Sequence, residues 1–112
     1  MRYCTRNFVC ERLRLSKWAS YRVFRTKGIP LVLVSEVADM LNGCACGMPE
    51  VHDVPQLMTP EEAEMETGIP KALLVRWSRR KRDPLPSYRI NKQTTRFRRE
   101  RVAEWLRRKA GK

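Results

Sequence analysis

The 112-residue chain is predicted to be mainly α-helical with one small β-hairpin near its C-terminal end. Three observations lead there. Residues 7–26 hold neither Gly nor Pro, "TPEE" at 59–62 has the chemistry of a helix start, and apolar residues alternate on both sides of "NKQT" at 91–94. The length fits one small domain or a domain with an extension, and a hydrophobic content of 42% supplies a core.

Residues 7–26 are read as one helix with Phe8, Leu15, Trp18 and Val23 sharing an inward face, and Leu13 and Phe24 at its edges, although the Tyr, Val and Phe of residues 21–24 would also suit a strand. "KGIP" at 27–30 breaks the pattern. Leu31 to Val34 form a short apolar run suited to a buried strand, after which Ser35 is placed to cap a brief helix ending at Gly43. The stretch 44–56, "CACGMPEVHDVPQ", gathers Gly, Pro, Asp and His and reads as a loop. The internal boundary is drawn there, dividing an N-terminal helical extension (1–56) from a second unit (57–112).

Thr59 is an N-cap, Pro60 occupies the first helical position, and Glu62 stands three residues after the cap, which together make a capping box. Gly68 stops that helix by taking a left-handed conformation. A second helix is expected over 70–81, strands over 87–90 and 95–98 flank the "NKQT" turn, and a last helix from Glu100 carries Val102, Ala103, Trp105 and Leu106 at amphipathic spacing. The order is helix, turn, helix, hairpin, helix.

Charge is distributed unevenly along this order. Residues 1–56 hold 8 basic and 5 acidic side chains (+3), and residues 57–112 hold 16 and 7 (+9), which add to the formal +12. Such an excess attracts polyanions, of which nucleic acid is the commonest for a basic protein. Acidic membrane is the competitor, but no apolar run reaches the roughly 18 residues of a bilayer span. The opening "MRYCTRNFVCERLRLSKW" has no uninterrupted apolar core either, so a cytoplasmic, nucleoid-associated location with reduced thiols is expected.

With this order of elements, Met58, Thr59, Glu62-Ala63, Gly68-Ile69, Arg76-Trp77, Leu85-Pro86, Tyr88-Arg89-Ile90, Arg96-Phe97, Val102 and Trp105-Leu106 form a joint pattern. The pattern resembles the winged helix-turn-helix of the excisionase family and its MerR-like relatives, over about half the chain. The resemblance implies a recombination directionality factor of a phage or mobile element, which binds duplex DNA, associates cooperatively with itself on that DNA and steers an integrase or recombinase. A small transcriptional regulator with the same fold is the alternative. Glu64, Glu66 and Thr67 stand where the family carries small or apolar residues, leaving the first helix of the pair an apolar face of Ala63 and Met65. Pro70 replaces the family's Ser or Thr at the start of the recognition helix. Residues 1–56 share nothing with the family, so an interaction scaffold acting through them is a further alternative.

At about 100° per residue, Leu74 and Trp77 define the buried side of the second helix, with Ile69 before it. Ala72, Val75, Arg76 and Arg79 then face outward, and Lys71 stands at the exposed first turn. Arg can read guanine bidentately in a major groove, and Ala or Val can touch the thymine methyl. Arg80, Lys81 and Arg82 suit phosphate contacts. Asn91, Lys92, Gln93 and Thr94 at the hairpin tip, flanked by Arg89 and Arg96, suit a minor groove or the backbone. Trp77, Phe97 and Trp105 are assigned to packing, and because the hairpin's aromatics are needed there, duplex DNA is preferred to stacked single-stranded RNA.

Cys4, Cys10, Cys44, Cys46 and His52 are the possible metal ligands. Cys-x-Cys and Cys-x5-Cys miss the usual spacing of zinc ligands, so no metal and no cofactor are expected. One His and no Gly-rich phosphate loop argue against an enzyme, and the glutamates at 61, 62, 64 and 66 are explained by capping and solvation.

Overall fold

The computed structural model describes residues 2–24 and 28–111. Among them six helices and two small antiparallel sheets make a mainly α architecture: β1 (Tyr3–Thr5), α1 (Arg6–Leu13), α2 (Lys17–Val23), β2 (Leu31–Leu33), α3 (Val34–Cys44), β3 (Ala45–Cys46), α4 (Pro60–Thr67), α5 (Lys71–Ser78), β4 (Ser87–Asn91), β5 (Thr94–Arg96) and α6 (Arg99–Ala110).

The single helix expected over 7–26 is two. Thr5 caps α1 by accepting from the Phe8 amide, Arg14 ends it in a left-handed conformation (φ 55°), and Ser16 caps α2 by accepting from the Ala19 amide. Two Ser/Thr caps eleven residues apart divide the stretch because each offers orphan amides a local acceptor. The break also resets the helical phase. Val9, Leu13, Leu15 and Phe24 are buried, whereas Phe8 and Trp18, expected inward, are exposed, Trp18 to 81%. The part of that expectation at residues 25–27 lies outside the described residues.

β2 pairs with β1 in antiparallel register, Tyr3 opposite Leu33 and Thr5 opposite Leu31. Val32 points into the core and Leu31 outward, so the strand is buried on one face only. Ser35 is not the cap of α3. The cap lies two residues earlier, at Leu33 with no side-chain cap bond, and the helix runs from Val34 through Gly43 to Cys44. Val34, Val37, Ala38 and Leu41 form its buried stripe.

The stretch 44–56, read as a loop, contains strand β3, which pairs with β4 through Ala45–Tyr88 and Cys46–Ser87. The remainder is held against the body: the Asn42 side chain accepts from the Val51 amide at 2.8 Å and donates to the Val51 carbonyl at 2.9 Å, and Val51 and Val54 are buried.

The capping box is present in full. Thr59 Oγ accepts from the Glu62 amide at 3.1 Å, and Glu62 Oε1 accepts from the Thr59 amide at 3.0 Å. Gly68 closes α4 at φ 77°, a backbone region that costs a residue with a Cβ. Of the apolar face expected on α4 only Ala63 is buried, and Met65 is 87% exposed. The helix is therefore held by its caps and by Ala63 rather than by a broad apolar stripe.

α5 stops at Ser78, short of residue 81. The Ser78 hydroxyl donates to the Val75 carbonyl at 2.6 Å, and the Trp77 carbonyl accepts from the amides of Arg80 (3.3 Å) and Leu85 (3.0 Å), so residues 79–85 fold back instead of continuing the helix. In the hairpin β4 runs through Asn91 and β5 covers 94–96. Phe97 lies beyond β5, bridged to Met58 by a pair of backbone bonds (2.7 and 3.0 Å).

Two cores result. Val9, Leu13, Val37, Leu41, Leu57 and Tyr88 belong to the first, and Ala63, Leu74, Leu85, Phe97, Val102 and Trp105 to the second. The β3-β4-β5 sheet joins them, since Tyr88 enters one core and Phe97, just after β5, enters the other.

Candidate nucleic-acid interface

Leu74 is fully buried in the second core, and Ile69 and Trp77 pack against the same cluster. That fixes the rotation of α5. Lys71, Ala72, Arg76 and Arg79 are exposed, and Val75 is half-buried. The expected outward residues thus share a surface along the helix.

Pro70 offers the N-terminus of α5 no side-chain cap. A carboxylate of α4 does so instead, Glu64 Oε1 accepting from the Lys71 amide at 2.7 Å, while the Lys71 ammonium lies 3.5 Å from Glu61. An acid therefore occupies the helix terminus that would otherwise attract a phosphate. Glu61 is held below the usual carboxylate range, first by a backbone hydrogen bond within its own residue and also by Lys71.

Residues 76–92 contain seven cations, Arg76, Arg79, Arg80, Lys81, Arg82, Arg89 and Lys92, and all seven are exposed. Among the described residues none of them lies within 4.0 Å of a carboxylate. The ion pairs among the described residues use Arg2, Arg14, Lys71, Arg98, Arg99, Arg101, Arg108 and Lys109. Eight cations outside this segment are thus paired with carboxylates, whereas the segment itself concentrates seven that are not. Arg80 also sits over the Trp105 ring, 5.9 Å from its centroid, which orients part of the loop after α5.

At the hairpin tip Asn91 Oδ1 accepts from the Gln93 amide at 2.9 Å, an Asx-type turn that leaves Lys92 and Gln93 projecting. Arg89 is exposed on β4, where a register shift between Arg89 and Asn91 twists the strand, and Thr94 is half-buried. Arg96, expected with them, lies elsewhere. Its Nε donates to the Leu13 carbonyl (3.0 Å), one terminal nitrogen to Arg14 (2.7 Å) and the other to Thr95 (2.8 Å), so it caps the end of α1 and ties the hairpin to the N-terminal half. Burial pulls its pKa below the ordinary arginine value. Its partners lie 82 and 83 residues away, a distance over which no local pattern carries information.

Sequence reasoning also missed Asp83, the one acid in residues 76–92. Its carboxylate is 3.4 Å from Arg108 and 2.5 Å from Lys109, and its carbonyl accepts from the Trp105 indole N–H at 3.1 Å. A hydrogen bond from Lys109 leads the interactions that hold its pKa below the usual carboxylate range.

Cys4, Cys10, Cys44 and Cys46 are free thiols, and burial pushes the pKa values of Cys4 and Cys44 upward. His52 is exposed. Among the described residues no group of three or more His, Cys, Asp or Glu side chains is arranged to hold a metal ion, and no helix is long and apolar enough to cross a membrane.

No protein-family model matches the chain, and comparisons with curated proteins and with solved structures give no significant match.

Proposed function

We propose that residues 57–112 act as a winged helix-turn-helix that binds duplex DNA, with α5 in the major groove and the β4–β5 hairpin as the wing. The observation that carries this reading is the run of seven cations from Arg76 to Lys92, all exposed and without ion pairs among the described residues, whereas eight cations outside the run are paired. At ~1.5 Å per residue the eight-residue α5 is ~12 Å long, comparable to the width of the major groove. Arg76 and Arg79 supply guanidinium forks for base edges, and Ala72 and Val75 an apolar contact to thymine. Arg80, Lys81 and Arg82 lie against phosphates, and Arg89, Asn91, Lys92, Gln93 and Thr94 follow the adjacent backbone or minor groove. Lys71, already shared with Glu61, adds long-range attraction rather than a dedicated contact.

The resemblance to excisionases makes recombination directionality the biological role in this reading, with an integrase as partner. Transcriptional control would use the same docking. Selection of bound duplexes from a randomised pool tests the binding directly. Enrichment of a motif is expected. Arg76→Ala should relax preference at particular base pairs by ~1–3 kcal/mol, whereas Lys92→Ala should weaken every sequence alike. A wild-type protein that enriches no sequence and retains no duplex refutes the reading.

A further inference from the structure

A carboxylate on a surface that receives phosphates opposes binding, yet Asp83 sits directly after Arg79–Arg82. It also occupies the left-handed backbone region (φ 46°), which an L-residue adopts at some cost and Asp tolerates better than most. Three contacts fix it there, all to α6. Arg108 and Lys109 meet its carboxylate, and the indole of Trp105, a residue only 3% exposed, meets its carbonyl. The two ends of the loop converge on one acceptor, since the amides of Arg80 and Leu85 both donate to the Trp77 carbonyl. The Trp77 and Trp105 rings in turn pack at 5.7 Å. The loop between helix and hairpin is thus pinned at its stem by Trp77 and at its crown by Asp83.

We infer that Asp83 is a positioning residue, a latch to α6 that sets where the cations of residues 79–82 stand relative to α5 and the wing, so that it sharpens sequence discrimination while weakening non-specific attraction. The inference rests on the duplex-DNA reading above. It makes two effects of opposite sign. Without the latch one negative charge is gone and Arg108 and Lys109 are released, so attraction to any duplex rises. The phosphate contacts that fix the register of α5 are then no longer held in one place, so discrimination falls.

The test compares wild type with Asp83→Asn, which keeps a residue tolerant of the left-handed region, and with Arg108→Ala/Lys109→Ala, which removes the partners and leaves Asp83. The first readout needs no DNA: exchange of the Trp105 indole proton with solvent, followed by NMR, should speed up at least ~10-fold in both variants. The second readout is binding to the motif selected by wild type and to a randomised duplex of about 20 base pairs. For Asp83→Asn, binding to the random duplex should rise by ~2- to 5-fold and the motif-to-random ratio should fall by ~5- to 30-fold, at a melting temperature within a few degrees of wild type. The double alanine variant should lose discrimination too, although it loses positive charge. An unchanged ratio in Asp83→Asn overturns the inference, whether or not the indole proton is released. Failure of wild type to bind any duplex overturns the DNA reading and this role with it, and the exchange result separates that outcome from a latch that never existed.

Discussion

Arg96→Met should destabilise the whole protein rather than weaken DNA binding selectively. The substitution keeps the aliphatic stem and deletes a guanidinium that reaches the Leu13, Arg14 and Thr95 carbonyls at 3.0, 2.7 and 2.8 Å. Hydrogen bonds from a charged donor contribute ~1.5–3 kcal/mol each when shielded, and these are only half-buried. A total of about 3 kcal/mol is therefore expected. The loss falls on the end of α1, where the Leu13 and Arg14 carbonyls lose the guanidinium, while the Cys10 carbonyl keeps the Arg14 and Leu15 amides and the Arg12 carbonyl keeps the Leu57 amide. For a domain of this size the same figure corresponds to a fall in Tm of ~10–15 °C. Urea denaturation should show a lower midpoint with unchanged slope, and Arg96→Lys should recover a minor part because one ammonium cannot span three carbonyls. A loss below ~0.5 kcal/mol would refute the assignment of Arg96 as the tie between hairpin and N-terminal half.

Thr59→Ala removes one arm of the capping box and frees Glu62, and should cost about 1–2 kcal/mol, read by denaturation, with Thr59→Ser close to wild type. Acid should destabilise the fold through carboxylates whose native pKa values are lowered: Glu100, held down by a backbone hydrogen bond within its own residue and by Arg98, and Glu61 likewise with Lys71. Groups of this kind contribute stability that is fully present above the unfolded carboxylate value of 4.5 and is lost as pH falls through the lower folded value. Stability measured by urea unfolding should therefore be flat from about pH 7 to 5 with respect to these groups and decline below about 4.5, and Glu100→Gln should flatten that decline.

Elements held by local chemistry were legible in the sequence. The capping box, the left-handed Gly68, the hairpin around its polar tip and the last helix each rest on residues within a few positions of one another. The rotation of α5 followed from Leu74 and Trp77 for the same reason. The pairing of β1 with β2 joins segments 28 residues apart across a break, and β3 is two residues long, too short for any periodicity. The division of residues 7–26 did leave a signal in Thr5 and Ser16, but the Gly- and Pro-free stretch masked it. In the candidate interface, the exposure of Arg76, Arg79 and Lys92 could be read from helical phase and turn position. The diversion of Arg96 to α1 and the anchoring of Asp83 to α6 could not, because both depend on tertiary neighbours.

Salt dependence of duplex binding tests the central claim most directly, because it counts the cations that meet phosphates. Of the seven unpaired cations between Arg76 and Lys92, the four or five that reach the backbone predict that log affinity falls with log salt at a slope between about −3.5 and −4.5, a loss of ~130- to 500-fold from 50 to 200 mM. Replacing Arg80 and Lys92 together should make the slope shallower by about two. A slope weaker than about −1, unchanged in that variant, would contradict the account.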